Sequence, residues 1–183
     1  MSINYNLNKI QAFTLEQTER KIRNLHPACL VLVLHTLTND LKTKTPTTCI
    51  DEMDRICKTI HELYSNTKII LSLPTPRSDS QEYNNKGQLI TAMIKDKFRA
   101  NELITVCDNS NLTYKGEVIP RFIDEKDGFH LTNNAMLASN IRDSIDIALG
   151  LPRRSPRRQA NSRRGRGHPQ RGRGRGRGRG RFS

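Results

Sequence analysis

Apolar positions along the first 150 residues switch repeatedly between helical spacing and unbroken runs, and the switching repeats in order. Thr14, Leu15, Glu16 and Gln17 have the form of a capping box, which predicts a helix from there to about Leu25. The run from Cys29 to His35 is continuously apolar until its last residue and reads as a strand buried on both faces. Thr47 or Thr48 is placed to cap a second helix, whose Ile50, Met53, Cys57, Ile60 and Tyr64 recur at steps of three and four. A second buried strand starts at Lys68 and is stopped by Pro74 and Pro76. A third helix is expected from Gln81 to about Arg99, with Leu89, Ile90, Met93, Ile94 and Phe98 inward. A third strand follows from Leu103. The last helix is expected to be capped by Thr132 and to turn Leu137, Ile141, Ile145 and Ala148 to the core, with Gly150 and Pro152 as its stop. Strands alternating with helices of this length imply crossover units. The fold class is therefore α/β, a three-layer sandwich with a mostly parallel sheet.

The periodicity ends at Leu151 and Pro152, and the charge changes there too. Of the 31 Lys+Arg, 13 lie after Pro152, where there is no acid; the other 18 balance the 18 Asp+Glu upstream. The formal charge of +13 thus belongs to the C-terminal segment. Residues 1–150 form one domain large enough to bury a core, and residues 151–183 form a basic tail expected to be disordered in isolation. The N-terminus shows no basic cluster followed by an apolar run, and the longest apolar run is too short to span a bilayer. An intracellular protein, cytoplasmic or nuclear and not secreted, is the expectation. Cys29, Cys49, Cys57 and Cys107 have no CxxC spacing and fall in core-like patterns, so they are expected to be free thiols, with no metal site and no cofactor.

The tail alternates arginine with glycine. Arg163, Arg164, Arg166, Arg171, Arg173, Arg175, Arg177, Arg179 and Arg181 are its candidate nucleic-acid-binding residues. Glycine keeps such a segment pliable, while each guanidinium offers charge, forked donors and a flat face for stacking on bases. The segment is similar to the RGG/RG segments of RNA-binding proteins, although it has Arg-Gly doublets only and one aromatic residue, Phe182. The resemblance implies binding of RNA or another polyanion, without sequence preference and weakening with salt. A solubilising or nuclear-targeting tail, or one that binds acidic protein, is the plainer reading.

Candidate chemistry lies where an open parallel sheet places ligands, beyond the carboxyl ends of its strands. Three polar groups fall there: Thr38, Asn39 and Asp40 after the first strand, Pro74 to Arg77 after the second, and Asp127 to His130 before the last helix. A carboxylate three residues before an imidazole on a tight turn can fix the ring tautomer and leave the other nitrogen as a base. Asn39 offers an amide donor to a developing oxyanion. Each piece alone also reads as an ordinary turn.

Together, Leu34 to Leu41 on a buried strand and Asp127 to Thr132 before the final helix resemble the SGNH/GDSL hydrolase superfamily, α/β serine hydrolases that are mostly esterases and lipases. The resemblance covers residues 10–149. It implies that Asn39 matches the oxyanion asparagine, that Asp127 and His130 match the catalytic acid and base, and that Asp40 is a structural companion of the first loop. The departures are specific. The family's Gly-Asp-Ser block, which supplies the nucleophile, has no counterpart, and Ser2 is the only serine before Ser65. The first glycine anywhere is Gly87, so the glycine of the family's second block is missing, and Leu37 replaces the glycine two residues before the oxyanion asparagine. Two explanations follow: a domain turned into a binding or adaptor module, or an esterase whose serine block lies upstream of Met1. Possible protein partners are implied by the first.

Overall fold

The computed structural model describes residues 5–25, 29–132 and 134–152. The expected α/β architecture is present. Its sheet consists of β1 (Val31–His35), β2 (Lys68–Ser72) and β3 (Ile104–Cys107), all parallel and in the order β1-β2-β3. The register sets Val33 beside Ile70 and Ile70 beside Thr105, so His35, Ser72 and Cys107 form one row across the sheet.

Side chains alternate between two faces. Leu32, Leu34, Ile69, Leu71, Ile104 and Val106 point to the larger core, shared with α1 (Leu15–Ile22), α2 (Pro46–Leu63) and α3 (Gln81–Lys97). Val31, Val33, Ile70 and Cys107 point to the smaller one, covered by α4 (Ala135–Ala148) through Ile141 and Ile145. Each fully buried Leu, Ile or Met of the larger core, Met53 and Ile60 among them, contributes about 1.5–3 kcal/mol by leaving water.

The helix ends follow local chemistry. The Thr14 hydroxyl accepts from the Gln17 amide, and the Gln17 side chain reaches back to the amide of Phe13, one residue before the position a standard box uses. α2 begins earlier than expected. Thr45, and neither Thr47 nor Thr48, is its cap, because Pro46 occupies the first helical position, where its missing N–H costs nothing. Thr132 does not cap α4. Its amide donates to the Phe122 carbonyl and its hydroxyl to Arg121, closing the preceding loop, and Asn134 stands at the helix start instead. At the other end Leu151 donates to Asp146 and Gly150, at φ 66°, donates to Ile147, a Schellman closure.

Two burial expectations need correction. Leu89 is 52 % exposed, since it lies about 100° around the helix from the Ile90–Ile94 stripe. β1 is an edge strand, and only Leu34 within it is buried; Val31, Leu32 and Val33 are half-buried and His35 is exposed. α4 packs mainly on β2 and β3, which leaves the β1 side of its face less covered. A short hairpin, β4 (Thr113–Tyr114) with β5 (Glu117–Val118), turns through Lys115 and Gly116, both at positive φ. Cys49, Cys57 and Cys107 are buried free thiols and Cys29 is a half-buried one. Burial raises the Cys57 thiol to about 12, so it is not a reactive thiolate at neutral pH. Among the described residues, no helix is long and apolar enough to cross a membrane.

Candidate active site

The loop before α4 is built around one carboxylate. It is closed at its base by an antiparallel bridge between Ile123 and Leu131 and by the Asp124 amide, which donates to the His130 carbonyl. Inside it Asp127 Oδ1 accepts from the amides of His130 (2.9 Å) and Phe129 (3.0 Å), an Asx turn. Its other oxygen, Oδ2, lies 2.6 Å from His130 Nδ1. The two backbone amides, first that of His130 and then that of Phe129, together with the imidazole, lower the Asp127 carboxyl to about 2. An ionised carboxylate at Nδ1 favours the proton on that nitrogen and leaves Nε2 with its lone pair. The His130 side chain is 69 % exposed, so that lone pair is open to solvent. The ring also lies against Phe129, with centroids 4.1 Å apart and planes tilted by 36°. This is the orientation a general base requires.

The loop after β1 is different. Leu37 adopts φ 83°, a conformation that glycine reaches freely and a branched side chain does not, while its side chain is only 1 % exposed. The backbone here has the shape that calls for glycine, and a core leucine occupies it. Beside it the Thr36 hydroxyl is buried without a hydrogen-bond partner among the described residues. The Asn39 amide nitrogen donates to the Phe13 carbonyl at 3.0 Å. Asp40, 1 % exposed, accepts from the Leu15 amide (3.1 Å) and pairs with Lys44 (2.9 Å), tying this loop to the start of α1.

The third polar group joins the other two. Arg77 Nη1 donates to the Thr38 carbonyl at 3.0 Å, and the Ser78 amide donates to the Gly128 carbonyl at 2.7 Å. All three strand-end groups therefore meet at one end of the sheet. Sequence reading singled out Arg77 only as part of a polar stretch and missed its linking role. The carboxylate two residues on, Asp79, was the available signal, since an Arg-x-Asp step permits the fork that forms here.

Asp127 is the only hydrogen-bonding side-chain partner of His130 among the described residues. A different serine does touch a histidine: Ser72 Oγ lies 3.0 Å from His35 Nδ1. Ser72 is 2 % exposed beneath α4 and also accepts from Asn109, so it belongs to a buried polar row and is closed to a substrate. Among the described residues no group of three or more His, Cys, Asp or Glu is arranged to hold a metal ion. The tail arginines, Arg163 to Arg181, lie outside the described residues.

No protein-family model matches this chain, and no curated protein matches it by sequence. Solved structures do match its fold. A GDSL-like lipase from Bacteroides thetaiotaomicron superposes with a TM-score of 0.62 at 16 % identity, over 74 % of this chain and 72 % of the lipase. A protein assigned as an acylhydrolase from Bacteroides fragilis gives 0.61 at 15 % identity, over 74 % and 71 %. One assigned as a platelet activating factor from Streptococcus pneumonia gives 0.57 at 18 %, over 75 % and 67 %. The chain thus has a GDSL-like hydrolase fold. Identities this low speak for the fold and leave the chemistry to the residues.

Proposed function

We propose that this protein is a binding or adaptor module built on a GDSL-like hydrolase fold whose acyl-transfer site has been given up, and that its arginine-glycine tail grips RNA without sequence preference. The observation that carries the first half is the loop after β1. Leu37 fills the glycine conformation with a buried side chain, and the Phe13 carbonyl takes one of the two donors of the Asn39 amide and fixes its direction. An oxyanion site needs free, preorganised donors, and losing one such donor typically costs about 100- to 1,000-fold in turnover. The second half rests on composition: 13 arginines without an acid, separated largely by glycine, favour polyanions through counterion release.

The test is retention of single-stranded RNA on a filter. The full chain is expected to hold RNA at low salt and to release it progressively as salt rises. A chain ending at Gly150 is expected to hold none. Equal retention by the shortened chain would remove the tail from the reading.

One observation favours a second reading, that of a carboxylester hydrolase. The Asp127–His130 pair is formed at 2.6 Å and its basic nitrogen faces solvent. In that case His130 is the base, Asp127 orients it, Asn39 swings from Phe13 to the oxyanion, and the serine comes from sequence upstream of Met1. Turnover of a short-chain aryl ester by protein extended to any upstream in-frame start, lost in His130→Ala, would establish this reading and displace the first. The expected result is no turnover above that of His130→Ala.

A further inference from the structure

The two loops of the candidate site come from chain segments about ninety residues apart, and a single buried side chain touches both. The Arg77 side chain is 1 % exposed. Its Nη1 holds the Thr38 carbonyl, immediately before Asn39, at 3.0 Å. The guanidinium lies 4.8 Å from the centre of the Phe129 ring and 5.2 Å from that of Tyr83. Its remaining contacts, Nε at 2.8 Å and Nη2 at 2.5 Å, fork onto the two oxygens of Asp79. The residues that follow it grip the other loop directly. The amides of Ser78 and Asp79 and the Ser78 hydroxyl all converge on the Gly128 carbonyl, at 2.7, 3.3 and 3.2 Å. Gly128 sits so close that a Cβ there would lie 2.7 Å from the Asp79 amide nitrogen.

We propose that Arg77 is a positioning residue: it sets the Asp127–His130 pair against the loop of Asn39 and thereby holds the His130 imidazole in the tautomer that keeps Nε2 free. The route is short. Phe129 touches both groups: its ring centre lies 4.8 Å from the guanidinium and 4.1 Å from the imidazole centre, with the two rings tilted by 36°. Displacing the guanidinium releases one face of Phe129, and the His130 ring loses its backing. The Asp127 carboxylate reaches Nδ1 only while that ring stays in place. Charge alone is insufficient here. A lysine ammonium is a point charge and cannot fork onto Asp79 while also reaching the Thr38 carbonyl. This role is independent of RNA binding and of ester turnover, because it concerns the resting geometry of the pair.

The experiment is long-range proton–nitrogen NMR of the full chain labelled at histidine nitrogens, at a pH where the rings are neutral, with the His130 signals assigned through His130→Gln. In the unmodified protein the Nδ1-protonated form is expected to dominate. In Arg77→Met, and equally in Arg77→Lys, at least half of the His130 population is expected to move to the Nε2-protonated form, while far-UV circular dichroism is retained. A folded Arg77→Met protein whose His130 pattern is unchanged would overturn the proposal, because a purely structural arginine shifts the unfolding midpoint and leaves the tautomer alone. Should Arg77→Met fail to fold, Asp79→Asn decides. Its neutral amide no longer pins the guanidinium by two charged contacts, so the guanidinium is free to leave the Phe129 ring. A measurable gain of the Nε2-protonated form supports the positioning role, and an unchanged pattern refutes it.

Discussion

The two loops that flank the candidate site have fared differently. The loop before α4 holds a joined carboxylate and imidazole: a carboxyl held well below its ordinary range, an Nδ1 against it and an exposed ring. The loop after β1 holds Asn39, one of whose amide donors is taken by the Phe13 carbonyl, and nearby Leu37 is part of the core. The difference lies in where each set of contacts comes from. Asp127 takes its hydrogen-bond partners from residues two and three positions on, so the pair is built within one turn, with Arg77 backing it through Phe129. Asn39 depends on keeping a donor unspent and on a backbone that leaves room, and both conditions are set by distant parts of the chain.

Four substitutions or titrations test this contrast. The largest effect is expected at Gly128, where the loop before α4 is clamped to Ser78 and Asp79. Gly128→Ala places a Cβ 2.7 Å from a backbone nitrogen at φ 71°. A cost of about 2–4 kcal/mol follows from the left-handed conformation together with the overlap. Urea unfolding measures it, and a loss under 1 kcal/mol would mean that the clamp is loose. Next comes Leu37→Gly. Removing the buried side chain costs about 2–5 kcal/mol, while relief of the positive φ returns about 1–3. Burial wins, and a net loss of about 1–3 kcal/mol is expected by the same measurement. A gain in stability would show that Leu37 is a strained intruder and not a core residue.

Asn39→Ala removes a single exposed hydrogen bond, and a loss of about 0.5–1 kcal/mol is expected. A much larger loss would mean that the Phe13 contact anchors the N-terminal segment. The smallest effect is a titration. The folded Asp127 carboxyl lies near 2, below its ordinary 3.8. The loop order it supports is therefore complete above about pH 4 and is lost as pH falls towards 2. Chemical shifts of the Phe129 and His130 amides, followed across that range, should move together. Movement centred near pH 4 instead would mean that the two amides do not hold the carboxylate in solution.

Arginine 77 shows how much of the site was legible beforehand. Its position after a proline-rich strand end was visible, and so was Asp79 two residues later. What it touches was not. Thr38 is 39 residues upstream and Phe129 more than fifty downstream, and no spacing rule links them. The same holds for β1, whose apolar run reads as a fully buried strand. Periodicity reports that residues are apolar; it does not report whether a strand lies at the centre or the edge of a sheet.

By itself the sequence determined what local chemistry decides. The Thr14 cap, the apolar stripes of α2 and α3, the Gly150 stop and the Asp127–His130 turn all arise from residues within about five positions of one another. The segregation of charge into the last thirty residues is likewise a property of the chain as written. Tertiary structure alone decided the rest: the donor that Asn39 spends on Phe13, the left-handed leucine at 37, the edge position of β1 and the guanidinium that joins two loops. Those depend on which surfaces meet when the helices close over the sheet, and a hydrogen bond between segments tens of residues apart has no signature until they do.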